Sequence, residues 1–211
     1  YDPYDAFTLS DAHAPIPDIF REDIADDEMV PVLIIQGTIF PEGRMQTIRI
    51  KGIPPEQTLL ELPTARLDTT PGAVPAIIGS NMARTNKLET GDYVTIRWRD
   101  VNGTFDATEI YISDIFTTNV PTVDAAQVWI PLETLQAMTL MPGEATTLTF
   151  GEGVQEKADV PGWTLKTYQS LVQDIEDMIR TKSVGQSIFY TILLLLALLA
   201  IFDTQVLSIF R

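Results

Sequence analysis

The side chains in this sequence that could do chemistry are mostly carboxylates. Asp and Glu number 29 against 14 Lys and Arg, a formal charge of −15, beside one His and no Cys. With His13 as the only imidazole and no thiol, a Ser-His-Asp or Cys-His nucleophile system has almost no material. Disulfides and thiolate metal sites are ruled out as well. Gly79-Ser80 and Gly91-Asp92 lack the spacing and the lysine of a phosphate-cradling loop. Nine acids (Asp2, Asp5, Asp11, Asp18, Glu22, Asp23, Asp26, Asp27 and Glu28) crowd residues 1–28 beside one base, Arg21. Asp23, Asp26, Asp27 and Glu28 are spaced so that they could share a hard cation, but without the glycine-punctuated order of a calcium loop. The reading adopted for residues 1–29 is a solvated acidic leading segment. No catalytic residue, metal ligand or cofactor is expected. A surface this acidic repels phosphate backbones, so nucleic acid is excluded as a partner.

The elements that must position these groups fall into three kinds, of which the most distinct is apolar. Ser183 to Phe202 is twenty residues without a charge, and Ile188 to Phe202 has only Tyr190 and Thr191 as polar groups. That length suits a bilayer core of roughly 30 Å, and a leucine-rich helix with no polar side is suited to lipid. Residues 183–210 are therefore expected to form a transmembrane helix, with Lys182, Asp203 and Arg211 marking the membrane boundaries. The acidic domain ahead of it has the character of an exported module, which places Arg211 in the cytoplasm. The chain begins at Tyr1 and stops just after the apolar stretch, and is taken as an internal fragment of a longer protein.

Ahead of the span lies a helical stripe. Tyr168, Leu171, Val172, Ile175 and Ile179 recur at i, i+3, i+4, i+7 and i+11, with Gln173, Asp174, Glu176, Asp177 and Arg180 on the other side. No proline separates them from the span, so residues 167–182 are expected to be a stalk helix continuous with it.

The rest of the chain alternates short strands and helices. Residues 32–39 and 44–50 have the pattern of a hairpin joined at Pro41-Glu42-Gly43, and 55–60 that of a short helix. Ala76 to Ile78 reads as a strand, Ser80 to Lys87 as a helix, and Tyr93 to Arg99 as an alternating strand. On the last of these Val94, Ile96 and Trp98 share one face while Thr95, Arg97 and Arg99 share the other. Asn102-Gly103 predicts a tight type I′ hairpin into the run Thr104 to Phe116, which outweighs its match to a glycosylation acceptor. Ala126 to Ile130 and Thr146 to Phe150 read as strands flanking a short helix over PLETLQAM. The tryptophans 98, 129 and 163 are read as core or rim anchors.

Two strings carry a resemblance: IIGSNMARTNKLETGDYVTI (Ile77 to Ile96) and SDIFTTNVPTVDAAQVWIPLETLQAM (Ser113 to Met138). In this order, and ahead of a stalk and a span, they resemble FtsX-like ABC transporter permeases with a MacB-type periplasmic core, a group that includes the lipoprotein-releasing permeases. The resemblance covers about Val30 to Arg211. It implies an α+β periplasmic domain of two mixed subdomains, one membrane-proximal (30–75 with 144–166) and one inserted distally (76–143). It also implies a non-catalytic subunit of the bacterial inner membrane, with residues 1–182 periplasmic. The implied partners are a cytoplasmic ABC ATPase, a second permease copy or paralogue, the lipid bilayer, and a lipoprotein or other periplasmic protein. The implied work is lipoprotein release or envelope substrate export, driven through the stalk. The position of Asp203 is commonly Asn in relatives. Where a lipoprotein-releasing permease carries a long hook that recruits its carrier, this sequence has the short Arg99 to Asp106 turn. Two other functions fit the same features: a regulator of a periplasmic cell-wall hydrolase acting by protein contact, and a single-pass receptor or adhesion module.

Overall fold

The computed structural model describes residues 9, 11–68, 72–151, 160–167, 189–202 and 205. Two compact units divide the chain, Tyr1–Gly162 and Trp163–Arg211. The first is a mixed α/β domain built on one sheet. Its strands are β1 (Ala14–Pro15), β2 (Met29–Ile39), β3 (Gln46–Ile53), β4 (Val74–Gly79), β5 (Tyr93–Arg99), β6 (Phe105–Phe116), β7 (Gln127–Pro131), β8 (Glu144–Ala145) and β9 (Thr147–Phe150). Its helices are short: α1 (Arg21–Ala25), α2 (Ser80–Asn86), α3 (Pro121–Asp124) and α4 (Leu132–Thr139).

The order β3-β7-β4-β6-β5-β2-β9, together with a β2–β3 pairing, closes six strands into a barrel. β9 runs along the first residues of β2 beside it. The β3–β7 and β4–β6 pairings are parallel and the others antiparallel. Alternation decides which side chains go inside. Leu33, Ile35, Ile48, Ile50, Ile78, Val94, Ile96, Trp98, Ile110, Ile112, Val128 and Ile130 form the larger core, joined by Leu132 and Leu135 of α4 and Met82 of α2. The opposite faces of β2, β4 and β7 supply Val30, Val32, Ile34, Ile77 and Trp129 to a second cluster with Leu9 and Leu67. One wall of the barrel is thus covered by the segment that includes Leu59, Leu60 and Leu62, which pack against that cluster. Gly37 lets β2 approach its neighbours, since a Cβ there would stand 3.0 Å from the carbonyl oxygen of Arg97.

The structure departs from the sequence reading at four places. The expected division between residues 75 and 76 falls inside β4. β2 and β3 on one side of it pair with β5 and β7 on the other, so 30–75 and 76–143 share one sheet rather than forming separate ones. The leading segment is tied down: β1 pairs with β8, and the Ile16 N–H donates to the carbonyl of Gly143 at 2.9 Å. Residues 55–60 are not helical. The Gln57 side chain occupies the turn instead, donating to the carbonyl of Leu60 at 3.1 Å and to Thr64 Oγ1 at 3.1 Å. At the β5–β6 hairpin, Arg99 pairs with Phe105 across a loop of residues 100–104, in which Gly103 has φ +80° and Asn102 has no positive φ. The Asp100 carboxylate accepts the N–H groups of Asn102 and Thr104, so this longer loop replaces the type I′ turn.

In the second unit residues 189–202 are helical. Among the described residues no helix is long and apolar enough to cross a membrane. Fourteen residues at 1.5 Å each reach about 21 Å.

Candidate interaction surfaces

The residues singled out for mechanical coupling, Tyr168, Leu171, Val172, Ile175 and Ile179, lie outside the described residues. So do the boundary residues Lys182, Asp203 and Arg211. Between them the helix 189–202 is described. Its large apolar side chains are exposed on every side, from Leu193 at 46% to Phe202 at 64%.

In the barrel domain the titratable groups gather at four places. Asp124 is buried at the end of α3. Its Oδ1 accepts the Asn81 N–H at 2.9 Å, the Asn81 side-chain amide donates to Oδ2, and the Ser80 hydroxyl stands 3.4 Å away. This carboxylate closes the first turn of α2 and joins the two strings that carry the family resemblance. It is a structural knot.

A cleft of about 570 Å³ is lined by Leu9, Asp11, His13, Ile35, Gln36, Arg99, Asp100, Val101, Gly103 and Met141. Among the described residues no hydroxyl or thiol lines it, and the His13 imidazole is hydrogen-bonded through Nδ1 to Glu144. The sequence reading leaves His13 exposed in the leader; the structure uses it to fasten β1 beside β8.

On β3, Lys51 lies over the Trp129 ring with Nζ 4.5 Å from the centroid. Burial first, and then the charge of Arg49, lower its pKa from 10.5 to about 8. The indole N–H of Trp129 is buried without a hydrogen-bond partner among the described residues. Trp98 is satisfied by the carbonyl of Met138 at 2.8 Å. Among the described residues no group of three or more His, Asp or Glu is placed to hold a metal ion. Asp27 instead accepts the Thr58 N–H at 2.8 Å.

The outer face of the β5–β6 hairpin has a different character. Register places Tyr93 opposite Tyr111, Thr95 opposite Glu109, Arg97 opposite Ala107 and Arg99 opposite Phe105. The Tyr93 and Tyr111 rings stand 5.2 Å apart. The Arg97 guanidinium lies over the ring of Phe105, at 4.9 Å, and over that of Phe40, at 5.8 Å, and Arg99 faces Phe105 at 5.3 Å. Arg99 Nε donates to the carbonyl of Gly103 at 3.1 Å. Arg97 Nε is buried and has no hydrogen-bond partner among the described residues. The sequence marks Thr95, Arg97 and Arg99 as the wet face of a strand. Reading the hairpin register across to Phe105 and Tyr111 would have shown that this face is aromatic as well; Phe40, which comes from another turn, has no such signal.

No protein-family model and no curated protein matches the chain. Among solved structures, the extracellular domain of the noncanonic ABC-type transporter YknZ from Gram-positive bacteria is similar over 70% of this chain and 75% of that chain, with a TM-score of 0.41 and 14% sequence identity.

Proposed function

We propose that this chain is a permease subunit of a mechanotransmission-type ABC transporter, made of a periplasmic barrel domain and a membrane-embedded helix. The observation that carries the reading is the helix 189–202. Its residues are apolar apart from Tyr190 and Thr191, and its large side chains are exposed all round. Such a surface needs lipid or protein against it. Residues 183–188 precede it without a charge, extending the apolar stretch toward the length of a span. The two strings that resemble FtsX-like permeases supply the end of β4, α2 and the start of β5, then the end of β6 and most of the chain through α4, and Asp124 binds the first string to the second.

On this reading the subunit is non-catalytic. A cytoplasmic ABC ATPase supplies the energy, a second permease completes the pair, and residues 167–182 carry the motion to the periplasmic domain. The protein sits in the bacterial inner membrane and works on lipoproteins or other envelope substrates. The test is to purify the protein from its native membranes in mild detergent and identify what it retains. An ABC ATPase in stoichiometric amount, with no hydrolysis by the isolated chain, supports the reading. An intact protein that retains no ATPase contradicts it.

A further inference from the structure

Among the described residues the barrel has one covered wall and one bare one. Apolar residues from outside the barrel cover the outer faces of β2, β4 and β7, but the outer face of β5–β6 carries Tyr93 at 59% exposure and Phe105 at 62%. Two arginines stand against the Phe105 ring, in a chain whose formal charge is −15. Glu109, on this face opposite Thr95, makes no ion pair with either arginine within 4 Å among the described residues, and neither do Asp11 and Asp100, which line the cleft beside Arg99. A guanidinium packed against aromatic rings is weakly hydrated and fixed in orientation, so little freedom is lost when an acceptor arrives. Arg97 lies over two rings, and its buried Nε lacks an acceptor among the described residues.

We propose that the outer β5–β6 face is a docking surface for an acidic polypeptide segment of a partner protein, whose carboxylates pair with Arg97 and Arg99 while its apolar side chains rest on Phe40, Phe105 and Tyr93. Charge complementarity selects this occupant. The rest of the domain repels an acidic partner, so such a segment is steered to the one face where arginines and rings coincide. The surface stands independently of the permease reading, because it lies wholly within the barrel domain.

The experiment measures binding of a fluorescein-labelled peptide of alternating Glu and Phe to the full chain in nonionic detergent. A peptide of alternating Gln and Phe and vesicles of phosphatidylglycerol serve as comparators. The Glu peptide is expected to bind. Arg97→Gln with Arg99→Gln is expected to weaken it about tenfold or more, as loss of an arginine anchor does at other interfaces. Arg97→Lys, which keeps the charge but loses the planar fork, should weaken it as well. Arg66→Gln, which removes one arginine charge at an exposed site elsewhere, should leave it unchanged, and circular dichroism confirms that each variant is folded. Equal affinity in the folded double variant, equal binding of the Gln peptide, or binding to the vesicles alone would overturn the proposal.

Discussion

A Cβ added to Gly79 would stand 2.6 Å from the Cα of Asp124, so the two residues meet at a distance that only glycine allows. This contact locks the start of α2 onto α3 and brings together the two segments that carry the family resemblance. Gly79→Ala should therefore cost about 2–3 kcal/mol, the upper range for forcing extra volume into a packed site. Asp124→Ala should cost about 1–3 kcal/mol by leaving the Asn81 N–H without its acceptor. Thermal unfolding of the full chain in detergent checks both. Melting temperatures near wild type for both variants would show that this knot is incidental.

Lys51 sets a pH dependence of defined sign. Its folded pKa, about 8, lies below the ordinary value of 10.5. Between these values the unfolded chain holds a proton that the folded chain has lost, so this group adds stability as pH rises through the window. Below about pH 8 the ammonium is charged in both states and its burial is a cost. Lys51→Met should thus stabilise the domain at pH 7 by about 1 kcal/mol, after allowance for screening and for the lost contact with Trp129. The difference from wild type should shrink toward pH 10.5. A difference constant across that range would show that the lysine is not desolvated.

The local elements were legible because each carries its own period. Val94, Ile96 and Trp98 mark the buried face of β5, and Pro131 marks the start of α4. Closure of the barrel was not legible, because it depends on β3 pairing with β7 and β4 pairing with β6, contacts between segments far apart in sequence. The two-part division, which the resemblance implies, sets a boundary between residues 75 and 76, yet the sheet continues across it. At the hairpin tip the dipeptide Asn102-Gly103 suggested a tight turn, but the Asp100 carboxylate competes for the same N–H groups and stabilises a longer loop. Of the interaction surface, the arginines were legible as a face, while their rings come from a neighbouring strand and a distant turn.

The proposed stalk gives a prediction about coupling. A proline within the pattern Tyr168 to Ile179 removes a backbone hydrogen bond and clashes one turn back, at a cost of about 3 kcal/mol or more. Glu176→Pro should leave the complex assembled and able to bind ATP but inactive in transport, whereas Glu176→Ala should stay near wild type. Transport retained by an assembled proline complex would reduce the stalk to an anchor.

The central claim is that residues 189–202 lie in a membrane with the barrel domain outside the cytoplasm. The chain has no cysteine, so single introduced thiols can be labelled without background. The most direct measurement is labelling with a membrane-impermeant maleimide in intact cells whose outer envelope has been opened, using Asn102→Cys at the hairpin tip, Leu195→Cys in the apolar helix and Arg211→Cys at the end of the chain. The account predicts that Asn102→Cys reacts at once, Leu195→Cys stays protected until detergent is added, and Arg211→Cys reacts only after the inner membrane is permeabilised. Rapid labelling of Leu195→Cys in cells with an intact inner membrane would contradict it.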